Sequence, residues 1–167
     1  MKEIRVGIIG TRATVASGSY QAALRQLLPQ IECFAAPCPL FVPLVEEGHI
    51  LPEDQLATLA AAQYLGPMKQ NGIDTLIMGC THYALLEEVI RLEMGSGVTL
   101  VDPGRETAIA LKQSLEQDGL LNSRESGGSL QCYVSDMPQQ FERIANLFLG
   151  SGSADETQVV DIEEYKF

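Results

Sequence analysis

Long apolar runs are missing from this sequence of 167 residues. Apolar segments such as IDTLIMG and VTLV are far shorter than the roughly 20 residues that a membrane-spanning helix needs. Met1 is also not followed by the charged and then apolar segment of an export signal. We therefore expect a soluble protein of the cytoplasm with no membrane partner.

Basic residues are scarce as well. Lys and Arg number 11 against 22 Asp and Glu, which gives a formal net charge of −11. Such a chain repels phosphate backbones and anionic lipid surfaces unless its basic residues cluster, and here they are dispersed along the sequence. We therefore expect no nucleic-acid partner.

The sequence motifs of common cofactor sites are absent too. Gly7 and Gly10 do not form G-x-G-x-x-G, there is no G-x-x-x-x-G-K-[ST] phosphate loop, and no segment resembles a pyridoxal lysine site. We therefore expect no cofactor. Without C-x-x-C spacing the cysteines resemble neither a redox pair nor a disulfide framework, and they indicate a reducing compartment. They are Cys33, Cys38, Cys80 and Cys132.

Apolar, β-branched runs alternate with helix-like segments along the first part of the chain. Strands with little alternating polarity, each followed by a helix, favour a parallel sheet covered on both faces, so we predict a three-layer α/β domain. The predicted strands are residues 3–10, 31–37, 73–79 and 97–102, the predicted helices are 19–28, 52–72 and 84–94, and residues 11–18 and 38–50 are predicted as a polar turn and a long loop.

The pattern changes near Pro103-Gly104, where we predict a domain boundary. Residues 1–102 are expected to form the α/β domain that carries Cys80. Residues 103–167 contain only two predicted strands and cannot bury a sheet alone, so we expect them to complete a second, incomplete α/β domain. Their predicted elements are helices 106–120 and 138–150, strands 130–136 and 157–165, and a loop at 122–129.

Reactive and polar residues follow the predicted strands, which is where ligands bind in parallel α/β sheets. The segment Gly79-Cys80-Thr81-His82 is the most informative. A thiol at a strand end that opens a helix lies in the positive field of the helix N-terminus, which lowers its pKa, and His82 can hold or deliver a proton. A buried structural cysteine followed by a capping threonine explains the same residues.

Three other candidates have competing explanations. Thr11 and Thr14 offer donors to an anionic substrate group, and helix capping accounts for at least one of them. Glu46 can orient a base or a histidine, whereas a solvated loop carboxylate is the commoner situation. A metal site built from Cys80, His82 and Cys38 is a further alternative, without the paired spacing typical of zinc ligands.

Four strings in this order resemble the glutamate racemases of the aspartate/glutamate racemase superfamily: VGIIGTRATVASGSY, CPLFVPLVEEG, IDTLIMGCTHYALL and VDPGRETA. SDMPQQFERIANLFLG resembles the family's C-terminal helix. The resemblance implies two pseudo-symmetric α/β domains that face each other across a cleft, with one catalytic cysteine on each side. One thiolate removes the α-proton of glutamate and the opposite thiol returns a proton to the other face, without a cofactor.

The resemblance also implies individual roles. Cys80 matches the cysteine expected to deprotonate L-glutamate, with His82 as auxiliary acid/base and Glu46 as its support. The residues implied to contact substrate are Thr11, Thr14 and Thr81. The implied partners are glutamate, the missing half of the enzyme or another chain, and a second copy in a homodimer. The implied product is D-glutamate for bacterial peptidoglycan.

Two departures from the family pattern stand out. Ala84 replaces the proline that usually follows Cys-Thr-His-Tyr, at the start of a helix. The family's N-terminal half, with its Asp-Ser turn, Pro-Tyr-Gly loop and Cys-Asn-Thr string, is not in this sequence, so we expect it from elsewhere. Two other function classes stay open: a carboxylate-binding or regulatory module of the same fold, and a hydrolase or lyase that uses Cys80 as a nucleophile.

Overall fold

The computed structural model describes residues 4–124, 127–154 and 157–164. The chain divides into two compact units, residues 1–121 and 122–167. Parts of three predicted elements lie outside the described residues: Glu3 at the start of the first strand, Glu125 and Ser126 within the loop, and Tyr165 at the end of the last strand.

The first unit is built on a fully parallel sheet, which confirms the predicted α/β class. The strand order is β2-β1-β3-β4, so the two central strands are β1 and β3. The strands are β1 (Arg5–Gly10), β2 (Glu32–Pro37), β3 (Thr75–Gly79) and β4 (Thr99–Val101).

Helices connect these strands and cover the sheet. The helices of the first unit are α1 (Arg12–Ser17), α2 (Ser19–Leu27), α3 (Phe41–Glu46), α4 (Gln55–Gln70), a 3₁₀ helix (Thr81–Leu86), α5 (Glu87–Met94) and α6 (Pro103–Gln117).

Alternation along the central strands divides the core between the two faces of the sheet. Ile9, Leu76 and Met78 point into the larger cluster, which contains buried residues of α3, α4 and α5. Val6, Ile8 and Ile77 point to the opposite face, where Tyr20 and Leu24 of α2 pack against them. Because the side chains of a strand alternate between its faces, a strand that is apolar throughout needs cover on both sides.

The longest helix, α4, shows how the sequence specifies a helix locally. Asp54 precedes it and accepts hydrogen bonds from the N–H groups of Leu56 and Ala57, at 2.8 Å and 3.3 Å. Its buried residues recur at intervals of three and four, which places them on the one face that meets the sheet. They are Ala57, Ala60, Ala61, Leu65 and Met68.

Two segments that were predicted as a turn and a loop each contain a helix, so these two predictions were wrong. Residues 11–18 contain α1, which is capped by Thr11 and ends at Gly18 in the left-handed region (φ 64°). Residues 38–50 contain α3. Pro43 lies in its first turn, where no backbone N–H is needed, and Phe41 and Val45 are buried one turn apart. The prolines at positions 39 and 43 favoured a loop, and the helical spacing of these two apolar residues was therefore not recognised in the sequence.

The second unit is small and poorly covered. It contains β5 (Tyr133–Val134) paired in parallel with β6 (Gln158–Val159), helix α7 (Pro138–Leu149) and a 3₁₀ turn (Ile162–Glu164). Among its described residues Ala154 is the only buried apolar side chain. Two short strands with so little core leave the described part of this sheet largely exposed.

The division of the chain falls after Leu121 and not after Asp102. Helix α6 contacts β3 and therefore belongs with the first unit. The assignment of residues 103–167 to a second racemase domain in the complete protein remains a prediction.

No helix in the described part of the chain is long and apolar enough to cross a membrane.

Candidate active site

The ends of three adjacent strands bring the predicted site segments to one edge of the sheet. Gly10 at the end of β1 pairs with Pro37 of β2 and with Gly79 of β3. The next residues along the chain are Thr11, Cys38 and Cys80, which therefore start from neighbouring positions. The N–H of Cys38 donates to the carbonyl oxygen of Gly10 at 2.9 Å.

Two glycines allow close packing at this edge. A Cβ on Gly79 would lie 2.9 Å from the carbonyl oxygen of Ile9 and 3.0 Å from Tyr20 Cε2. A Cβ on Gly10 would lie 3.0 Å from Thr14 Cγ2. Larger residues would therefore displace the backbone that leads into Cys80 or the helix that carries Thr14.

Cys80 lies at the carboxyl end of β3, as predicted from the sequence. It occupies the cap position of the 3₁₀ helix in an extended conformation (φ −151°, ψ 138°) and is half-buried. Its carbonyl oxygen accepts a hydrogen bond from the N–H of Tyr83 at 3.1 Å. The strand and the following turn together fix the position of the thiol.

A thiol, an imidazole and a carboxylate form a connected array at this edge. The distance from Cys80 Sγ to His82 Nδ1 is 3.9 Å, which confirms the expected proximity of these two groups. The distance from His82 Nε2 to Glu46 Oε1 is 3.5 Å. Glu46 ends α3 and faces the histidine, so it is not the free loop carboxylate of the simpler reading. The side chains of His82 and Glu46 are 23% and 30% exposed and remain open to solvent.

The array can transfer a proton between the thiol of Cys80 and the imidazole of His82. When His82 carries its proton on Nε2, that N–H lies towards the carboxylate of Glu46 and the Nδ1 lone pair lies towards the thiol. Nδ1 can then take the proton of Cys80 and leave a thiolate beside an imidazolium. An ionised carboxylate can only accept hydrogen bonds, so Glu46 favours the tautomer of His82 that carries its proton on Nε2.

Burial, and not the helix terminus, dominates the acidity of Cys80. Desolvation raises the pKa of this thiol, while the backbone N–H groups of His82 and Tyr83 act in the opposite direction and are outweighed. This corrects the prediction of a lowered pKa. The short 3₁₀ turn supplies two N–H groups but cannot replace the water that the half-buried thiol has lost.

The threonines named from the sequence are placed differently from one another. Thr11 Oγ1 accepts from the N–H of Thr14 at 3.2 Å, and the two hydroxyl oxygens lie 2.9 Å apart. Thr11 is therefore the cap of α1, which was the alternative to substrate binding that the sequence left open. Thr81 is exposed as the first residue of the 3₁₀ helix, beside Cys80. Contacts of these residues with substrate remain predictions.

The other cysteines are free of disulfides and do not resemble catalytic groups. Cys38 is fully buried, and burial raises its pKa to about 12. Cys33 packs against the smaller core cluster from the edge strand β2. Cys132 directly precedes β5 in the second unit. In residues 4–124, 127–154 and 157–164 no group of three His, Cys, Asp or Glu side chains is placed to hold a metal ion.

Tyr83 was missed as a functional candidate. It is fully buried, its hydroxyl donates to the carbonyl oxygen of Cys38 at 2.9 Å, and its ring packs edge-on against Phe41 at a centroid distance of 5.1 Å. In the sequence it is an apolar helix residue with nothing to mark a contact 45 residues away.

The thiols should differ in their reactivity with iodoacetamide. Because the pKa of Cys80 is raised, we expect its alkylation rate to reach half its maximum above the pH of about 8.5 that is typical of an exposed thiol. Cys38 should remain unlabelled until the chain is denatured. Mass spectrometry of the labelled peptides over a pH series measures both. A midpoint for Cys80 below about 8.5 would support the helix-terminus prediction instead.

The fold and the array define a parallel α/β protein with a thiol, an imidazole and a carboxylate placed together at the carboxyl edge of its sheet. Comparison with known proteins identifies the family. The model of the family described as Asp/Glu/Hydantoin racemase matches residues 1–111, and the chain belongs to this family.

Individual relatives are glutamate racemases. The chain is 42% identical over 155 residues to the glutamate racemase of Geobacter metallireducens, covering 93% of this chain and 57% of that protein. It is 42% identical over 164 residues to glutamate racemase 2 of Caldanaerobacter subterraneus, covering 98% of this chain and 61% of the relative. This chain therefore spans less than two thirds of the length of these relatives.

Solved structures show the same fold. A glutamate racemase isoform of Bacillus anthracis superposes with a TM-score of 0.84 and 33% identity, over 95% of this chain and 57% of that one. The Francisella tularensis glutamate racemase, solved with D-glutamate, gives a TM-score of 0.83 and 31% identity, over 96% of this chain and 59% of that one.

Proposed function

We propose that this chain supplies one catalytic face of a glutamate racemase, which interconverts L-glutamate and D-glutamate. The array of Cys80, His82 and Glu46 is the observation that carries the proposal. It lies at the ligand-binding edge of a sheet in a chain of the racemase family, and the relatives described above are named glutamate racemases.

In the proposed reaction Cys80 acts as a base. His82 accepts the thiol proton through Nδ1, and the resulting thiolate removes the α-proton of L-glutamate. The bond from the α-carbon to hydrogen breaks, its electron pair remains on the substrate, and the proton moves to sulfur. Glu46 stabilises the imidazolium through Nε2.

The raised pKa of Cys80 suits this role. A thiolate that is poorly solvated is a stronger base towards a carbon acid than a thiolate of low pKa, provided that His82 assists its formation. The donors at the strand ends then hold the substrate. Thr11, Thr14 and Thr81 are proposed to bind the carboxylate and ammonium groups, because they follow the two central strands at the edge of the sheet where the thiol lies.

Inversion needs a second acid on the opposite face of the α-carbon. A single base tends to return the proton to the face it left. We propose that the rest of the complete protein, corresponding to the part of the relatives that this chain does not span, provides that thiol. The complete enzyme would work in the cytoplasm without a cofactor and supply D-glutamate for peptidoglycan.

Isotope exchange tests the proposal. We would join this chain to the N-terminal part of the Geobacter metallireducens relative and incubate the chimera with L-glutamate in D₂O. We expect D-glutamate that carries deuterium at the α-carbon, detected by circular dichroism and proton NMR, because the returned proton comes from a thiol that exchanges with solvent.

Aspartate and hydantoins, whose racemisation the family description also covers, serve as comparison substrates. Treatment with a chelator and removal of pyridoxal phosphate should leave the rate unchanged. Exchange with aspartate only, or a rate that returns only when pyridoxal phosphate is added, would overturn the proposal.

A further inference from the structure

One carbonyl joins Tyr83 to the helix that carries Glu46. The carbonyl oxygen of Cys38 accepts two hydrogen bonds, from the Tyr83 hydroxyl at 2.9 Å and from the N–H of Phe41 at 3.1 Å. Phe41 is the first residue of α3 and Glu46 is the last. The tyrosine hydroxyl therefore holds the beginning of the helix whose other end contacts His82.

The aromatic rings provide a second connection between the same two elements. Phe41 packs edge-on against Tyr83 at 5.1 Å and against Tyr64 of α4 at 5.4 Å. Tyr83 and Phe41 are both fully buried, and α3 and the 3₁₀ helix are in extensive contact. Edge-to-face packing fixes ring orientation as well as distance.

Helix α3 depends on such support. It has six residues, and its cap, Leu40, makes no side-chain hydrogen bond to the helix. Isolated helices of this length are not stable in water, so tertiary contacts determine where α3 lies. Burial raises the pKa of Tyr83 well above its usual range, so the hydroxyl keeps its proton and remains a donor at any working pH.

The contacts close a ring through the candidate site. The carbonyl oxygen of Cys80 accepts a hydrogen bond from the N–H of Tyr83. The hydroxyl of Tyr83 in turn donates a hydrogen bond to the carbonyl oxygen of Cys38, just before α3. At the other end of α3, Glu46 contacts His82, which lies beside the Cys80 thiol. A displacement of α3 changes the distance from Glu46 to His82 directly.

We propose that Tyr83 is a positioning residue, whose buried hydroxyl sets α3 against the 3₁₀ helix so that Glu46 holds His82 towards the Cys80 thiol. The expected effect of Tyr83 on racemisation rests on the function proposed above. The expected effect of Tyr83 on the reactivity of Cys80 is independent of that function and can be measured in the 167-residue chain.

The first test is the alkylation of Cys80 in the 167-residue chain with Tyr83→Phe, which removes only the hydroxyl. If α3 shifts, His82 takes up the thiol proton less well, and we expect alkylation of Cys80 at pH 8 to slow by roughly tenfold. This is less than the roughly 100-fold loss of rate that a displacement of about 1 Å between reacting groups can cause. Cys33, on the edge strand, serves as an internal standard and should react at its original rate.

Tyr64→Phe is the matched control. It removes a hydroxyl from the same aromatic cluster, and among the described residues that hydroxyl has no hydrogen-bond partner, so the rate at Cys80 should not change. Faster alkylation in Tyr83→Phe would mean that the core has loosened and would overturn the proposal.

A double-mutant cycle separates positioning from general packing. Glu46→Ala should slow Cys80 by itself, and adding Tyr83→Phe should then have little further effect, because both changes interrupt the same path. Fully multiplicative effects would show that Tyr83 acts independently of Glu46. If Tyr83→Phe does not fold, Phe41→Leu weakens the same support and must give the same slowing and the same cycle; normal rates there would also overturn the proposal.

Activity of the chimera provides the second readout. Tyr83→Phe should lower kcat for L-glutamate with little change in KM, since no substrate contact is removed. An unchanged kcat beside slowed alkylation would leave the positioning role intact but count against Cys80 as the racemase base. A normal alkylation rate would reject the positioning role whatever the chimera does.

Discussion

Cys80→Ser should abolish racemisation in the chimera with the missing half while the fold persists. The serine hydroxyl is far too weak an acid to form a base beside His82, so the loss in kcat should be at least about 10³-fold, within the range of general-base contributions. Cys80 is only half-buried and serine is similar in size, so the sheet and its helices should be retained. Circular dichroism of glutamate measures the activity and thermal unfolding measures the fold.

A second variant distinguishes the contribution of the Cys80 thiol from that of His82. His82→Asn keeps Cys80 but removes the group that takes its proton, so the direction in which Cys80 is the base should suffer more than the reverse direction. Cys33→Ser is the matched control, because it makes the same atomic change outside the array and should leave the rate unaffected. Substantial activity in Cys80→Ser would remove Cys80 from the mechanism.

The 167-residue chain by itself should show no racemisation of L-glutamate. Its described residues contain one array of a thiol with an imidazole and a carboxylate. Cys38 also follows a strand of the same sheet, but it is fully buried and its pKa is raised to about 12. Without an acid on the opposite face, a proton removed by Cys80 returns to the face it left. The measurement is circular dichroism of L-glutamate with the chain alone and with the N-terminal half supplied separately.

Two results are informative here. Activity that appears only when the second half is added supports the two-thiol account. Robust conversion by the chain alone would instead require the Cys80 of a second copy, since Cys38 is unsuited by burial, and size measurement of the active species would then show a dimer. That outcome would replace the two-domain account.

Much of the first unit could be predicted because its signals are local. The runs that end at Gly10 and Gly79 are apolar without alternation, and they form the central strands β1 and β3. The placement of Cys80 follows from the same pattern, since ligand sites lie beyond strand ends. Helix α3 was missed because two prolines in residues 38–50 indicated a loop, while its stability depends on packing that the sequence pattern does not reveal.

The sequence by itself determined the α/β class, the strand end at which Cys80 lies and the family resemblance, because periodicity and motif order are properties of neighbouring residues. Only the tertiary structure decided the state of the site. Glu46 reaches His82 because α3 packs against the 3₁₀ helix, and Cys80 has a raised pKa because the surrounding core removes water from it. Both depend on contacts between distant segments, which exist only after the chain has folded.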